Sequence, residues 1–461
     1  MKKLFKVLST VIAVTAIFSF AGCSKKAAAS GTSSGAALKY ADVELGKTGT
    51  DITASLKLLT HRTDMLQDSY TGVTFAKYLA EFNKLYPNIK VEIEGITDYA
   101  SVALLRLQGG DWGDIMMIPA IDKKELKNYF VSYGDLATME KQIKFATNWE
   151  YEKEVYGVPS TGNAQGVLYN KKVFKQAGIT KLPSSTDEFI ADLKLIKEKT
   201  NAIPLYTNYA AGWTMGAWDA YLGGSATGDA DYMNNVLLHT KNPFKNYGDG
   251  THAYAVYKVL YDAAANKLIE DDYTTTDWEG CKGMLNRGEI ATMVLGSWAY
   301  AQMQEAGDTP ENVGYMPFPM TVGGKQYVNA GGDYNYAINV NSSDDNKAAS
   351  LVFIKWMVEK SNWCYNEGGY TVVKGGKNPD MYAAFDGCEV LSDQPALAGE
   401  ETFLNDMNSE SELSFNAGGN DKVQRIVEAG ATGSESFDDI MASWASKWQA
   451  AQEELGIEVK Y

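Results

Sequence analysis

Apolar residues recur along this chain with two different periods, and the periods alternate. In "ASLKLLT" (residues 54–60) they fall at every second position, the pattern of a strand. In "TGVTFAKYLAEFNKLYP" Phe75, Leu79, Phe82 and Leu85 come three or four apart, one face of a helix that Pro87 stops. "IKVEIEG" (89–95) returns to alternation through Ile89, Val91 and Ile93. "SVALLRLQGGD" reads as a short helix ended by Gly109 and Gly110, and "DIMMIP" as a strand that is apolar throughout. This β-α-β-α-β order predicts an α/β sheet with helices packed on it.

The alternation continues downstream. Ser185 and Glu188 in "SSTDEF" form a capping-box pattern that opens the helix "TDEFIADLKLIKEK". "THAYAVYKVLYDAAAN" is a helix with Ala255, Val259 and Ala263 on one face. "GEIATMVLGSWAYAQMQEAG" reads as strand, Gly-Ser turn and helix, "YNYAINV" as a strand, and "NKAASLVFIKWMVEK" as an amphipathic helix. The C-terminal "SFDDIMASWASKWQAAQEEL" sets Ile440, Trp444, Trp448 and Leu455 on one side, a spacing that assigns both tryptophans to core. No internal repeat is present.

The first residues have a different pattern. Lys2, Lys3 and Lys6 precede a short apolar run, and small residues Ala21 and Gly22 lead into Cys23. That is a secretory signal, because the run is too short to span a bilayer and ends at a cleavage-like site. "FAGC" resembles the lipobox of bacterial lipoproteins, with Phe20 where Leu is usual. The resemblance implies that the Cys23 thiol receives a diacylglyceryl group and becomes the mature N-terminus, held at the membrane by more than one acyl chain. The alternative is a soluble secreted protein with a stray cysteine. Ser24 to about Ala37 is Ser, Ala, Gly and Lys, unable to bury a core, and belongs to a flexible tether over 23–53.

Charge and cysteines narrow the function classes. The formal charge is −16, and loss of the signal leaves about −19, from 39 basic and 58 acidic residues. An acidic surface argues against nucleic acid as a partner. Besides Cys23 there are Cys281, Cys364 and Cys388, which allow at most one disulfide and favour free buried thiols. No CxxC or zinc spacing occurs, and the three histidines are scattered, so no metal or cofactor is expected. There is no GxGxxG turn, no Walker loop and no GxSxG elbow. No acid pair stands out as a glycosidase couple among the 58 acids.

What remains is aromatic. The chain has 28 tyrosines and 10 tryptophans, many outside helical stripes: Trp112, Tyr206, Tyr209, Trp213, Trp218 and Trp278, then Trp298, Tyr334, Trp363 and Tyr370. Sugars offer apolar C–H faces to flat rings and hydroxyls to carboxylates and amides. Any one ring alone is more readily a core residue, but position selects a few. Ligands of open α/β sheets bind beyond the carboxyl ends of strands. "LKLLT" runs into His61, Arg62, Thr63 and Asp64, "DIMMIP" into Ala120 and Asp122, and "ATMVL" through Gly296 and Ser297 into Trp298. Trp298 is therefore a site candidate, while Arg62 and Asp64 are either site residues or a surface ion pair.

Several stretches together resemble the sugar-type extracellular solute-binding proteins of ABC importers, relatives of maltose-binding protein. They include "FAKYLAEFNKLYPNIKVEIE", "LQGGDWGDIMMIP", "YGVPSTGNAQGVLYNKKVFKQAGI", "LPSSTDEFIADLKLIK", "MLNRGEIATMVLGSWAYAQMQEAG", "VGYMPFP" and "YAINVNSSDDNKAASLVFIKWMVEK", in family order from about Thr71 to Lys360. The resemblance implies a periplasmic-binding-protein-like α/β fold: two lobes, a multi-segment hinge and a ligand cleft between them. It implies crossings near 158–163, 329–333 and 361–366, with lobes over 54–160 plus 331–362 and 161–330 plus 363–461. It carries ligand contacts onto Arg62, Asp64, Ser160, Thr161 and Asn163. It adds Tyr209, Trp213 and Trp298 as aromatic contacts and brings Asp333 and Tyr334 to the hinge, and the aromatic set adds Trp278. Trp112-Gly113 departs from the family's small residue and Pro, so Trp112 is either an extra platform or packs beneath its loop.

The function implied is a monomeric, lipid-anchored binding protein on the outer face of the membrane. It captures a carbohydrate, expected to be an oligosaccharide, by hinge closure and delivers it to an ABC permease without bond chemistry. The alternatives are the same fold with a polyamine, peptide or phosphate ester as cargo, a surface glycoside hydrolase, or an adhesin.

Overall fold

β1 (Ala54–Thr60) and β2 (Ile89–Gly95) pair in parallel along their whole length, from Ala54 against Ile89 to Thr60 against Gly95. The α1 helix (Phe75–Leu85) makes the crossover, its N-terminus capped by the Thr74 side chain, which accepts from the Lys77 N–H. The α2 helix (Tyr99–Gly109) then leads to β3 (Ile115–Met117), which adds in parallel to the other edge of β1. These elements belong to a computed structural model that describes residues 38–68, 70, 72–97, 99–416 and 420–461. The signal segment, Cys23 and the tether up to Ala37 lie outside the described residues.

Two long strands extend this sheet beyond the first group. Val158–Asn170 and Tyr327–Ile338 run antiparallel in one constant register, from Ala330 opposite Ala164 to Tyr336 opposite Val158. The second joins β3 through Tyr336–Ile338, and the first joins strand Ile290–Gly296 through Gln165–Tyr169. Strand Ile203–Leu205 closes the order in parallel with Ile290–Gly296.

Separate cores lie at the two ends of the long pair. One gathers Leu58, Phe82, Met116, Phe130 and Phe353. At the other end Leu193, Trp218, Leu260 and Trp448 form a second core, with a smaller one around Leu295, Met303 and Tyr315. Val158, Tyr336 and Cys364 belong to the first core, while Ala164, Ala330 and Tyr370 belong to the smaller one at the far end. The chain thus passes between them three times, over 158–164, 330–336 and 364–370.

Three expectations need revision. Glu188 does not complete a capping box with Ser185. Ser185 Oγ accepts from the Glu188 N–H at 3.2 Å, but the Glu188 carboxylate turns to the N–H and hydroxyl of Ser184, at 2.7 and 2.8 Å. Leu455 is 39% exposed at the helix end, whereas Trp444 and Trp448 are core as their spacing indicated. The tether also stops short of residue 53, because Tyr40 and Val43 are buried in the first core. The cause is a buried cation. Lys355 Nζ donates to Tyr40 O at 3.1 Å and to Gln142 Oε1 at 2.9 Å, pairs with Glu359 at 3.0 Å, and sits 4.1 Å from the Tyr40 ring centre. The segment from Lys39 is the lid that keeps water off this ammonium. Cys281 and Cys364 are buried, Cys388 is half-buried, and all three are free thiols.

Removing the lid should therefore destabilise the folded body. Tyr40→Ala is expected to lose about 3 kcal/mol, typical of truncating a buried aromatic ring, read as a lower denaturant midpoint. A variant as stable as wild type would return residues 38–53 to the tether.

Candidate functional site

Strand Ile290–Gly296 is buried at every position, and the turn at its end is fixed by two hydrogen bonds. The Ser297 N–H donates to Ala164 O and Ser297 Oγ accepts from the Ala164 N–H, both at 3.0 Å. Trp298 follows at the N-terminus of helix Ala299–Glu305. Its ring lies 5.6 Å from that of Trp213 and 5.9 Å from that of Trp278, and these two meet edge to face at 5.0 Å. Trp278 opens helix Trp278–Arg287 behind its Asp277 cap, and Trp213 opens a single turn after Gly212. Trp213 is 41% exposed and the other two are half-buried. These three clustered indoles, with the Lys282 ammonium 4.8 Å from the Trp278 ring centre, are a candidate platform for a partner with an apolar face of its own.

The strand register places this platform relative to the crossing strands. Thr161, Asn163 and Gln165 alternate onto one face, and Gln165 is opposite Gly296. A Cβ on Gly296 would sit 2.7 Å from Trp298 Nε1 and 3.4 Å from Gln165 Oε1, so the indole lies over that same face. Asp333 is opposite Thr161 and accepts from Asn163 Nδ2 at 3.1 Å, with its other oxygen taking the Tyr334 N–H at 2.9 Å. Burial raises the Asp333 pKa against the pull of those hydrogen bonds and of the Arg62 charge.

Arg62 and Asp64 are neither free ligand donors nor a simple surface pair. Arg62 reaches Asp64 through Nε at 2.9 Å and Nη2 at 2.8 Å, Glu367 through Nη1 at 2.7 Å, and Tyr70 Oη through Nη2 at 3.0 Å. Tyr70 Oη also donates to Glu367 at 2.8 Å. Burial works to lower the Arg62 pKa, but the two carboxylates outweigh it and lock the charge on. Glu305, at the end of the helix that Trp298 begins, has its pKa raised by burial and then by the Glu367 charge, with Arg62 opposing. The Trp298 helix and the Arg62 cluster therefore sit within electrostatic range of each other.

Beside Arg62, His61 stacks on Tyr334 with ring centres 3.6 Å apart and planes within 12°. Tyr334 has φ +20°, a sparsely populated backbone geometry, and stays 36% exposed. His61 Nδ1 is buried with no hydrogen-bond partner.

The other candidates fall apart into two groups. Ser160 is buried within the first long strand, and Thr161 Oγ1 lies 3.2 Å from Cys364 Sγ. The Tyr209 ring packs on Tyr273 at 4.9 Å, and its hydroxyl donates to Glu428. Trp112, Trp218 and Trp363 are core; Trp112 packs on Phe130 beneath its loop at 5.6 Å and is no platform. Sequence reasoning missed Glu367 and Tyr70, whose partner Arg62 is 305 and 8 residues away. It also missed a cavity of about 470 Å³ bordered by Trp149, Asp333, Tyr334 and Gln394. Among the described residues no group of three or more His, Cys, Asp or Glu could hold a metal ion. No helix there is long and apolar enough to cross a membrane.

Known proteins share this architecture. The sequence profile of the bacterial extracellular solute-binding protein family matches residues 68–362. A manno-oligosaccharide specific solute-binding protein of Bifidobacterium animalis subsp. lactis, solved with mannotriose, is 50% identical with TM-score 0.81, over 90% of this chain and 99% of that one. A second binding protein of an ABC transporter from the same organism, solved with mannobiose, is 50% identical with TM-score 0.82 over the same shares. The multiple sugar-binding protein of Streptococcus mutans is 26% identical over 304 residues, 63% of this chain and 69% of that one.

The buried imidazole makes a pH prediction. Burial first, then the Arg62 charge, hold the His61 pKa down to about 3, with Asp64 a weaker opposing influence. The unfolded chain titrates near 6.5 and so binds one more proton between these values. The stabilisation from a neutral His61 is complete above pH 6.5 and is lost as pH falls through that window. By pH 5 the loss is about 2 kcal/mol. Between pH 7 and pH 5 wild type should lose about that much more unfolding free energy than His61→Phe; equal losses would mean that the imidazole is not buried neutral.

Proposed function

We propose, from the premise that this chain belongs to the bacterial extracellular solute-binding proteins, that its cargo is a manno-oligosaccharide. It captures sugar outside the cytoplasm for an ABC importer. The observation that carries the cargo reading is the triad of Trp213, Trp278 and Trp298, lying over the strand face that also bears the Asn163–Asp333 pair. Linear pyranose chains offer alternating apolar faces and hydroxyl rims. The indoles cover the first, and the carboxylate and amide groups hold the second. The two relatives solved with mannobiose and mannotriose support mannose as the repeating unit.

Binding acts by population shift. Sugar contacts to both ends of the long strand pair favour a closed arrangement, and the three crossings absorb the motion as a hinge. Micromolar capture needs about −8 kcal/mol net, within reach of two stacked rings and several hydrogen bonds after ordering costs. Cys23, once lipidated, holds a monomeric receptor beside its permease, and no bond is made or broken.

Calorimetry on the Trp298→Ala variant tests the site. Mannotriose affinity is expected to fall at least tenfold with an unchanged melting temperature. Affinity within twofold of wild type would take this indole out of the site.

A further inference from the structure

A second cavity, of about 300 Å³, lies behind the crossing strands. Thr161, Asn163 and Gln165 bear the face that the Trp298 indole covers, so Gly162 between them points the other way. A Cβ on Gly162 would meet Phe145 Cε2 at 2.9 Å, and Phe145 borders this cavity. The walls come from both ends of the long strand pair. Ile143 and Ala146 belong to the first core, while Tyr370 belongs to the smaller core at the far end and Val390 packs against it.

The lining carries positive charge in an acidic chain. A single bridge, Ile143 with Val373, brings Lys144 and Lys374 to the cavity. The Lys144 N–H donates to Val372 O at 2.6 Å and the Lys374 N–H to Gln142 O at 2.8 Å. Lys144 is half-buried, with Nζ 4.7 Å from the Tyr370 ring centre. Neither ammonium has a carboxylate within ion-pair distance among the described residues. Lys123 Nζ, from the neighbouring cavity, donates to Thr147 O at 3.2 Å and has no such partner either. Burial, and then the Lys374 charge, push the Lys144 pKa down. Neighbouring ammoniums that repel each other and lose hydration are costly, and an anion between them removes that cost.

The rest of the lining suits one kind of anion. Thr147 and Ser392 border the cavity, and neither hydroxyl has a partner among the described residues. Two ammoniums and two hydroxyls match an ion with several acceptor oxygens, which a halide lacks. Glu140 is the one carboxylate of the lining; it is exposed and pairs with neither lysine. The volume is at the lower end of small-molecule sites. We propose that this cavity is a site for a small phosphate-type oxyanion, held by Lys144 and Lys374 with Thr147 on one side and Ser392 on the other. The site is separate from the indole platform and independent of the cargo reading.

Calorimetry with inorganic phosphate, at fixed ionic strength in chloride, tests it. Wild type should bind one phosphate saturably. Lys144→Gln and Lys374→Gln should each weaken that binding at least tenfold, the scale of one lost charge-assisted hydrogen bond. Both should bind mannotriose within twofold of wild type in phosphate-free buffer. Lys374 is exposed, so its substitution leaves packing intact, and melting curves check both variants. Glu140→Gln should tighten phosphate binding. Glycerophosphoglycerol, the deacylated headgroup of an anionic lipid, separates two sources of the same chemistry: binding tighter than inorganic phosphate assigns the site to a headgroup, and weaker binding to a free ion. No saturable heat in wild type, or phosphate affinity kept within twofold by either lysine variant, would overturn the site and leave the cargo reading standing.

Discussion

Gly162 is the residue at which the three crossings of the chain meet. Its N–H donates to Tyr370 O at 2.9 Å and its carbonyl accepts from the Tyr370 N–H at 2.7 Å, while its other side is in register with Gly332. A Cβ at this point would lie 2.7 Å from Tyr370 O and 2.9 Å from Phe145 Cε2. Only a glycine lets the third crossing come this close to the first. Strand alternation then decides which side chains share a face, and a slip of one residue would turn Asn163 and Gln165 to the opposite side. The placement of Trp298 beside Gly296 is a consequence of that register, as is the pairing of Asn163 with Asp333.

The charged groups near the platform are arranged to spend little on bare charge. Arg62 holds two carboxylates and a phenol, so its guanidinium fixes the loop after β1 onto Glu367 of the third crossing. It also lies 5.7 Å from the Trp363 ring centre, and that indole packs on Phe75 at 5.5 Å. The cluster thus ties β1, α1 and the crossing near residue 367 into one rigid corner. Burial first, and then this positive charge, keep the adjacent imidazole of His61 neutral where it lies flat on Tyr334. A protonated His61 would sit unpaired in a buried place beside a second cation, a costly arrangement.

Much of this was legible in the chain because it is local. Period-two and period-three-and-four patterns marked β1, α1, β2 and β3, and the Gly-Ser-Trp turn at the end of a buried strand marked Trp298. The core assignment of Trp444 and Trp448 was legible for the same reason. What was not legible depends on contacts distant in sequence. Tyr40 is core because Lys355 is 315 residues away, and Arg62 is engaged because Glu367 is 305 away. The three indoles were separate candidates in sequence, and only the turns at Gly212, Asp277 and Ser297 bring them within 6 Å of one another.

The division of chemistry between the indole platform and the crossing strands bears on how capture proceeds. Stacking on indoles depends weakly on the angle about the ring normal, whereas a hydrogen bond weakens steeply off axis. In the reading proposed here, the platform of Trp213, Trp278 and Trp298 holds a sugar face while the hinge is still open. The Asn163 amide and the Asp333 carboxylate of the crossing strands then act only after the gap has narrowed to hydrogen-bond length. A ligand shifts the hinge by no more than its differential affinity for the two arrangements. Contacts made in both arrangements bind without closing, so the stacking face supplies affinity and the directional groups supply closure. By this logic a molecule that stacks but carries too few hydroxyls would occupy the platform without moving the hinge, and discrimination between saccharides would reside in the polar groups around Tyr334.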